Sequence, residues 1–263
     1  MAREAYRSLY GDLTKLKDNS LLNDPAAGAG DDTELWQLLM AASAAVEGYC
    51  NRHFYPRTQT LEFDGSGAAQ LLIPDLVSLT SLKEDEDEDK TFETTWAAAD
   101  YWLAPYNAEP DQPWGQPYTR VQVRTKGTKT EFKLGEQRFQ LAGIWGYLQY
   151  KEDSASNIND AGGISATDTS VIVTSGADFA IGQTIMVESE QMLVTNIAAN
   201  TLTVTRGLNG TAAATHADAL DVFILRWPAP VERATLIQTA RFWTRAPDFE
   251  PFYVSEDTDP DVR

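Results

Sequence analysis

The chain has 263 residues, 39 acidic against 21 basic, and a formal net charge of −18; at 43% hydrophobic and 10% aromatic it can bury a sizeable core in one large domain, or in one domain carrying an insertion. Such a charge repels nucleic-acid phosphates and anionic lipid, which argues against a protein that grips DNA. One cysteine, Cys50, and two histidines, His53 and His216, exclude a disulfide framework and leave too little for the common zinc and hydrolase sites, so no enzyme, metal or cofactor is expected. The longest apolar stretch, Leu38 to Val46, is too short to cross a bilayer, and no basic, apolar leader precedes it. A soluble product made in the cytosol, without a membrane partner, is the expectation.

A short helix is predicted over Tyr6 to Leu22, then a linker at Pro25 to Gly30. Asp31 and Glu34 have capping-box spacing ahead of an apolar stripe of Leu35, Leu38, Leu39, Ala42, Val46 and Tyr49. That helix should run to about Arg52 and stop before Pro56. Strands are predicted at Gln59 to Phe63, Leu71 to Leu82, Thr119 to Thr125 and Arg138 to Ile144, with a turn at Asp64 to Gly67. Tyr101 to Tyr118, rich in Pro, Trp and Tyr, reads as irregular. Lys151 to Gly163 reads as a polar linker.

Ile164 to Leu225 is rich in Thr, Val, Ala and Gly and nearly free of Lys and Arg. Its five strand candidates are Val171–Val173, Thr184–Val187, Met192–Ile197, Leu202–Thr205 and Val222–Leu225, which reads as a small β module. Trp227-Pro228-Ala229-Pro230 opens a last helix carrying Leu236, Ile237, Ala240 and Trp243, ended by Pro247 and followed by an acidic tail. The expected fold class is therefore α+β. Helices would pack with β strands in a core of residues 1–150 and 227–263, and a small all-β domain of residues 151–226 would be inserted into it.

Three stretches resemble the gp6-like head–tail connector family of tailed phages, in that family's order. The first runs from Asp31-Asp32-Thr33-Glu34 to Tyr49-Cys50-Asn51-Arg52-His53-Phe54, the second from Phe139 to the closing Gly143-Ile144-Trp145-Gly146-Tyr147, and the third is the helix from Pro228 through Arg241 to Arg245. Residues 152–226 depart from the family's pattern and are similar to a β module of other phage structural proteins, on Phe179 to Ile185, Glu190 to Met192, and Leu202 to Thr211 with His216. The resemblance implies a non-enzymatic adaptor of the virion neck, assembled in the host cytoplasm. It would form a homo-oligomeric ring, typically a dodecamer, beneath the portal protein. The ring would extend the channel for genomic double-stranded DNA, without binding it specifically, and would dock a stopper or tail-completion protein.

Arg233, Arg241 and Arg245 fall on one side of the last helix. The resemblance assigns that end of the chain to the portal, with Trp243, Phe249, Phe252 and Tyr253 as aromatic anchors. Glu84, Asp85, Glu86, Asp87, Glu88 and Asp89 form the densest charge. Counting a calcium loop from Asp85 puts Lys90 and Trp96 where Gly and Glu are needed, so the run is either a solvated loop or a DNA-repelling lining of the channel. His216 with Arg206 and Glu190 reads as a structural hydrogen-bond group and not as a catalytic one. Gly65-Ser66-Gly67 lacks nucleophile-elbow spacing. A host-glycan-binding role for the β module is the alternative function.

Overall fold

The computed structural model describes residues 7–18, 22 and 29–245. Helix α1 covers Leu13–Asp18 and α2 covers Asp32–Cys50; six strands follow, β1 (Arg57–Gly65), β2 (Gln70–Glu84), β3 (Thr94–Thr95), β4 (Tyr101–Ala104), β5 (Tyr118–Val123) and β6 (Gly135–Trp145). Six more come next, β7 (Tyr150–Asn157), β8 (Ser170–Ile172), β9 (Thr184–Val187), β10 (Glu190–Ala198), β11 (Thr201–Thr205) and β12 (Asp221–Arg226), before α3 (Ala229–Arg245). The first sheet has the order β1-β6-β2-β5-β4 with β3 on β2, and the second β7-β12-β9-β10-β11-β8. Every pairing is antiparallel.

The α+β expectation is corrected. Among the described residues the protein is two six-stranded antiparallel sheets with three α-helices beside them, so the architecture is mainly β. The error came from undercounting strands. The strand expected at Leu71 to Leu82 is present as β2, which runs for fifteen residues through Pro74 because its pairing with β5 skips from Leu72 to Leu76 and needs no amide from the proline. The aromatic, proline-rich stretch hides β4, paired with β5, and the supposed linker after Tyr150 is largely β7, paired with β12.

Alternation sets the first sheet's core face. Leu61 and Phe63 of β1 stand opposite Leu141 and Phe139 of β6, and Phe139 meets the rings of Trp96 and Phe132 at 5.7 and 5.1 Å. The second sheet is covered on both sides. Met192 and Val194 point into its own core, with Ile185, Val187, Leu202 and Val204. Leu193 points the other way and joins Leu9, Leu13, Leu35, Trp36, Leu39 and Leu236 of the N-terminal segment and helices. Each fully buried Leu of this kind contributes about 1.5–3 kcal/mol, so the helices are fastened to the second sheet.

Polar tethers reinforce that contact. The Asn209 side-chain amide donates to Ser8 Oγ and to Gln191 Oε1, both at 2.7 Å, and the Gln191 amide donates to the Pro56 carbonyl at 2.9 Å. The capping box does not form, since Asp31 makes no side-chain cap bond and a single 3-10 turn leads into α2. The buried face of α2 also differs from the apolar stripe. Trp36, Ser43 and Glu47 are buried, whereas Tyr49 is 94% exposed.

Candidate functional site

The three family-like stretches, distant in sequence, meet at one aromatic junction. Fully buried Tyr10 packs on Phe54 at 5.5 Å and on Trp227 at 5.4 Å, and Phe54 packs on Tyr147 at 5.6 Å. The Arg52 guanidinium lies 5.5 Å from the Tyr147 ring centre, and the Tyr147 amide donates to the His53 carbonyl at 3.0 Å. Val46 of α2 and Val231 of α3 close the cluster. The Tyr10 hydroxyl donates to Glu47 Oε1 at 2.6 Å and accepts from the Phe54 amide, while Arg7 pairs with Glu47 Oε2 at 2.6 Å. Burial, and then the Glu47 charge, push the Tyr10 phenol well above its usual range. Ser43 accepts from the Tyr10 amide at 3.2 Å. The two polar residues on the buried side of α2 are thus there to hold Tyr10.

Beside the junction opens a cleft of about 750 Å³, floored by Leu61 and Trp145 and rimmed by Arg7, Arg52, His53 and Arg57. Burial raises the Asp75 carboxyl on its wall, partly offset by Arg52 at 3.4 Å.

The acidic run is not one solvated loop. Glu84 and Asp85 are each 1% exposed, and Glu86 to Asp89 form the exposed tip. Glu84 accepts from the Trp96 indole at 2.9 Å and from Lys129 at 3.0 Å. Burial opposes its charge, but those two donors and nearby Lys133 outweigh it and hold the carboxyl below its ordinary range. Asp85 accepts the amides of Glu88 and Lys90 at 2.7 and 2.9 Å, and Arg138 braces the tip through Glu88 and the Glu86 carbonyl, both at 2.8 Å. Asp85, Asp87, Asp89 and Glu93 each bring one oxygen within 4.8 Å of the others. Asp85 commits both its oxygens to the turn's own amides, so the turn itself accounts for that crowding.

On α3, Arg233 and Arg241 are exposed, opposite buried Leu236, Thr239 and Ala240. Trp243 is half-buried against the helix cluster. Phe249, Phe252 and Tyr253 lie outside the described residues, as does the side chain of Arg245. Sequence reasoning missed a groove of about 630 Å³ between α2 and α3, lined by Val46, Tyr49, Cys50, Val231, Ile237 and Arg241. Its only sequence signal was small and apolar residues on the faces of both helices turned away from the core.

Glu190, Arg206 and His216 do come together, buried, as one saturated clamp. Arg206 Nε and Nη2 donate to the two Glu190 oxygens at 2.7 Å each, and the guanidinium also donates to the carbonyls of Ser165, Asp168 and Ala214. The amides of Gly207 and Ala214 donate to Glu190 at 3.1 and 2.9 Å. The His216 ring nitrogens lie 2.8 Å from Glu188 and from Glu190. Burial opposes the Glu190 charge, yet Arg206, the Ala214 amide and His216 hold its carboxyl down at about 2. This clamp pins the loops flanking the second sheet. Of the aromatic residues in and beside that sheet, Phe179 is buried, and Tyr150 and Phe223 are half-buried, the latter under Lys151.

No family model, no curated protein and no solved structure matches the chain.

Proposed function

We propose that this chain is a structural subunit of a tailed-phage head–tail connector, self-associating into a ring beneath the portal protein. The observation that carries this reading is the junction. Phe54 and Trp227 pack on Tyr10 and Tyr147 packs on Phe54, so residues that belong to or adjoin three stretches resembling one connector family share one cluster, although more than seventy residues separate each from the next. Those residues serve as a joint between helices and sheets. A ring subunit needs such a joint to hold its two lateral surfaces at a fixed angle, because heterologous contacts close only when each repeats the same rotation.

Two surfaces take the roles that the resemblance implies. The exposed tip Glu86–Asp89, braced from beneath by Asp85 and Arg138, faces the channel and repels passing DNA. The exposed Arg233 and Arg241 of α3 meet the portal, with the aromatic tail residues as anchors, and the opposite side of the ring receives the stopper or tail-completion protein. The β-rich body makes the wall of the ring.

The portal contact is tested by the double variant Arg233→Glu/Arg241→Glu. With the variant's melting measured alongside and binding read where it is folded, affinity for purified portal should fall at least about tenfold, chiefly through slower and less salt-sensitive association. Wild-type affinity in the double variant would remove α3 from the portal contact.

A further inference from the structure

Two apolar surfaces stay open in the subunit, one a hollow and one a projection. The groove between α2 and α3 has a half-buried floor of Val46, Val231 and Ile237, with Tyr49, 94% exposed, and Cys50 at its side. Among its described lining residues Arg241 alone is charged. The projection is the loop of residues 105–117 between β4 and β5, from which Tyr106 and Trp114 stand out, 76% and 74% exposed. Aromatic surface left open in this way usually marks a contact site.

We propose that the β4–β5 loop of one subunit fills the α2–α3 groove of the next, as the lateral contact of the ring. Charge favours this pairing. The loop carries Glu109 and Asp111, both exposed, and no lysine or arginine, so its carboxylates complement Arg241 at the rim of an otherwise uncharged groove. Order in the loop favours it too. The Gln112 amide donates to the Glu109 carbonyl at 3.0 Å, Gly115 to Gln112 at 2.9 Å and Gln116 to Ala108 at 2.8 Å, while the Gln149 amide ties Pro110 to the body at 2.8 Å. The Trp114 indole donates to Glu109 at 3.4 Å, and Tyr106 meets the Trp102 ring edge-on at 5.8 Å. Two large aromatics are therefore presented ready-placed, and little ordering entropy opposes their burial.

Hollow and projection belong to different elements, so each subunit offers one half of the contact on either side. Such a contact is heterologous, and it closes into a ring when its rotation divides the circle. The inference deepens the connector reading by naming the surfaces that build its ring. Arg241 then stands at a corner, reaching the neighbour's carboxylates from the groove and the portal from the helix end.

Cys50, the chain's one cysteine, reports the contact in the full-length protein. Its reaction with a bulky maleimide is followed as protein concentration rises. With a Kd of about 100 μM, wild type should react about tenfold more slowly at about 1 mM than at about 1 μM, because about nine-tenths of the grooves are then filled. Tyr106→Ala/Trp114→Ala, its melting measured alongside, should react at the fast rate throughout. Sedimentation of wild type over the same range should pass beyond the dimer. A wild-type rate that ignores concentration would overturn the proposal, whether fast, from an open groove, or slow, from a groove the subunit covers itself. Equal protection in the loop variant, or assembly that stops at a dimer, would overturn it as well. A ring on the portal whose Cys50 stays reactive ends this proposal and leaves the connector reading standing; loop-dependent protection without a ring on the portal does the reverse.

Discussion

Replacing Arg206 by alanine is expected to cost about 3–5 kcal/mol, because it leaves a buried carboxylate without its cation. For a chain of this size that is a drop of about 10 °C in the melting midpoint. The effect is large because Arg206 answers two needs at once. It neutralises both oxygens of Glu190, and it donates to the carbonyls of Ser165, Asp168 and Ala214. Melting within 2 °C of wild type, an allowance of about 1 kcal/mol, would show that the clamp is not a structural keystone.

The same clamp makes stability depend on acid. Glu190 titrates at about 2 in the folded protein and near its ordinary 4.5 when unfolded. As pH falls below about 4.5 the unfolded chain takes up a proton that the folded chain refuses. Stability present above that pH therefore drains away down to about pH 2, by about 3 kcal/mol in all. Glu190→Gln should be less stable at neutral pH and should show a shallower loss over that window in pH-dependent denaturant titrations. An unaltered slope would contradict the assignment.

Gly146→Ala is expected to be the second severe substitution. Its φ of +140° disfavours side chains, and an added Cβ would lie 2.1 Å from the Tyr55 carbonyl oxygen. Two backbone segments of the junction would have to separate, at a cost of at least about 3 kcal/mol. Gly48→Ala provides the contrast, since that helical position has open space around it and should gain up to about 1 kcal/mol. Both are read by thermal melting. Wild-type stability in Gly146→Ala would mean that the junction yields freely and sets no angle.

Much of the second sheet was legible because its strands are short, β-branched and separated by turn residues; all five candidate runs lie within or overlap β8 to β12. The first sheet was harder. The strand through Pro74 was legible, since that proline sits at an irregularity where no ladder amide is required, but β4 lies hidden in an aromatic, proline-rich stretch. Polar β7, with Lys151, Glu152 and Asp153 exposed, carries no apolar alternation to betray it. The buried face of α2 was misread for the opposite reason, since Ser43 and Glu47 look like surface residues until Tyr10 arrives from a distant segment. The acidic run was seen as one object because charge density is all a sequence displays. That Glu84 and Asp85 turn inward follows from Trp96, Lys129 and Arg138, which only the fold brings near.

Averaged electron-microscopic images of the full chain, alone and mixed with its portal, test the connector reading most directly. The expected picture is a closed ring coaxial with the portal, its central opening lined by the Glu86–Asp89 tips. Single subunits scattered over the portal, or a ring carrying those tips on its outer rim, would contradict it.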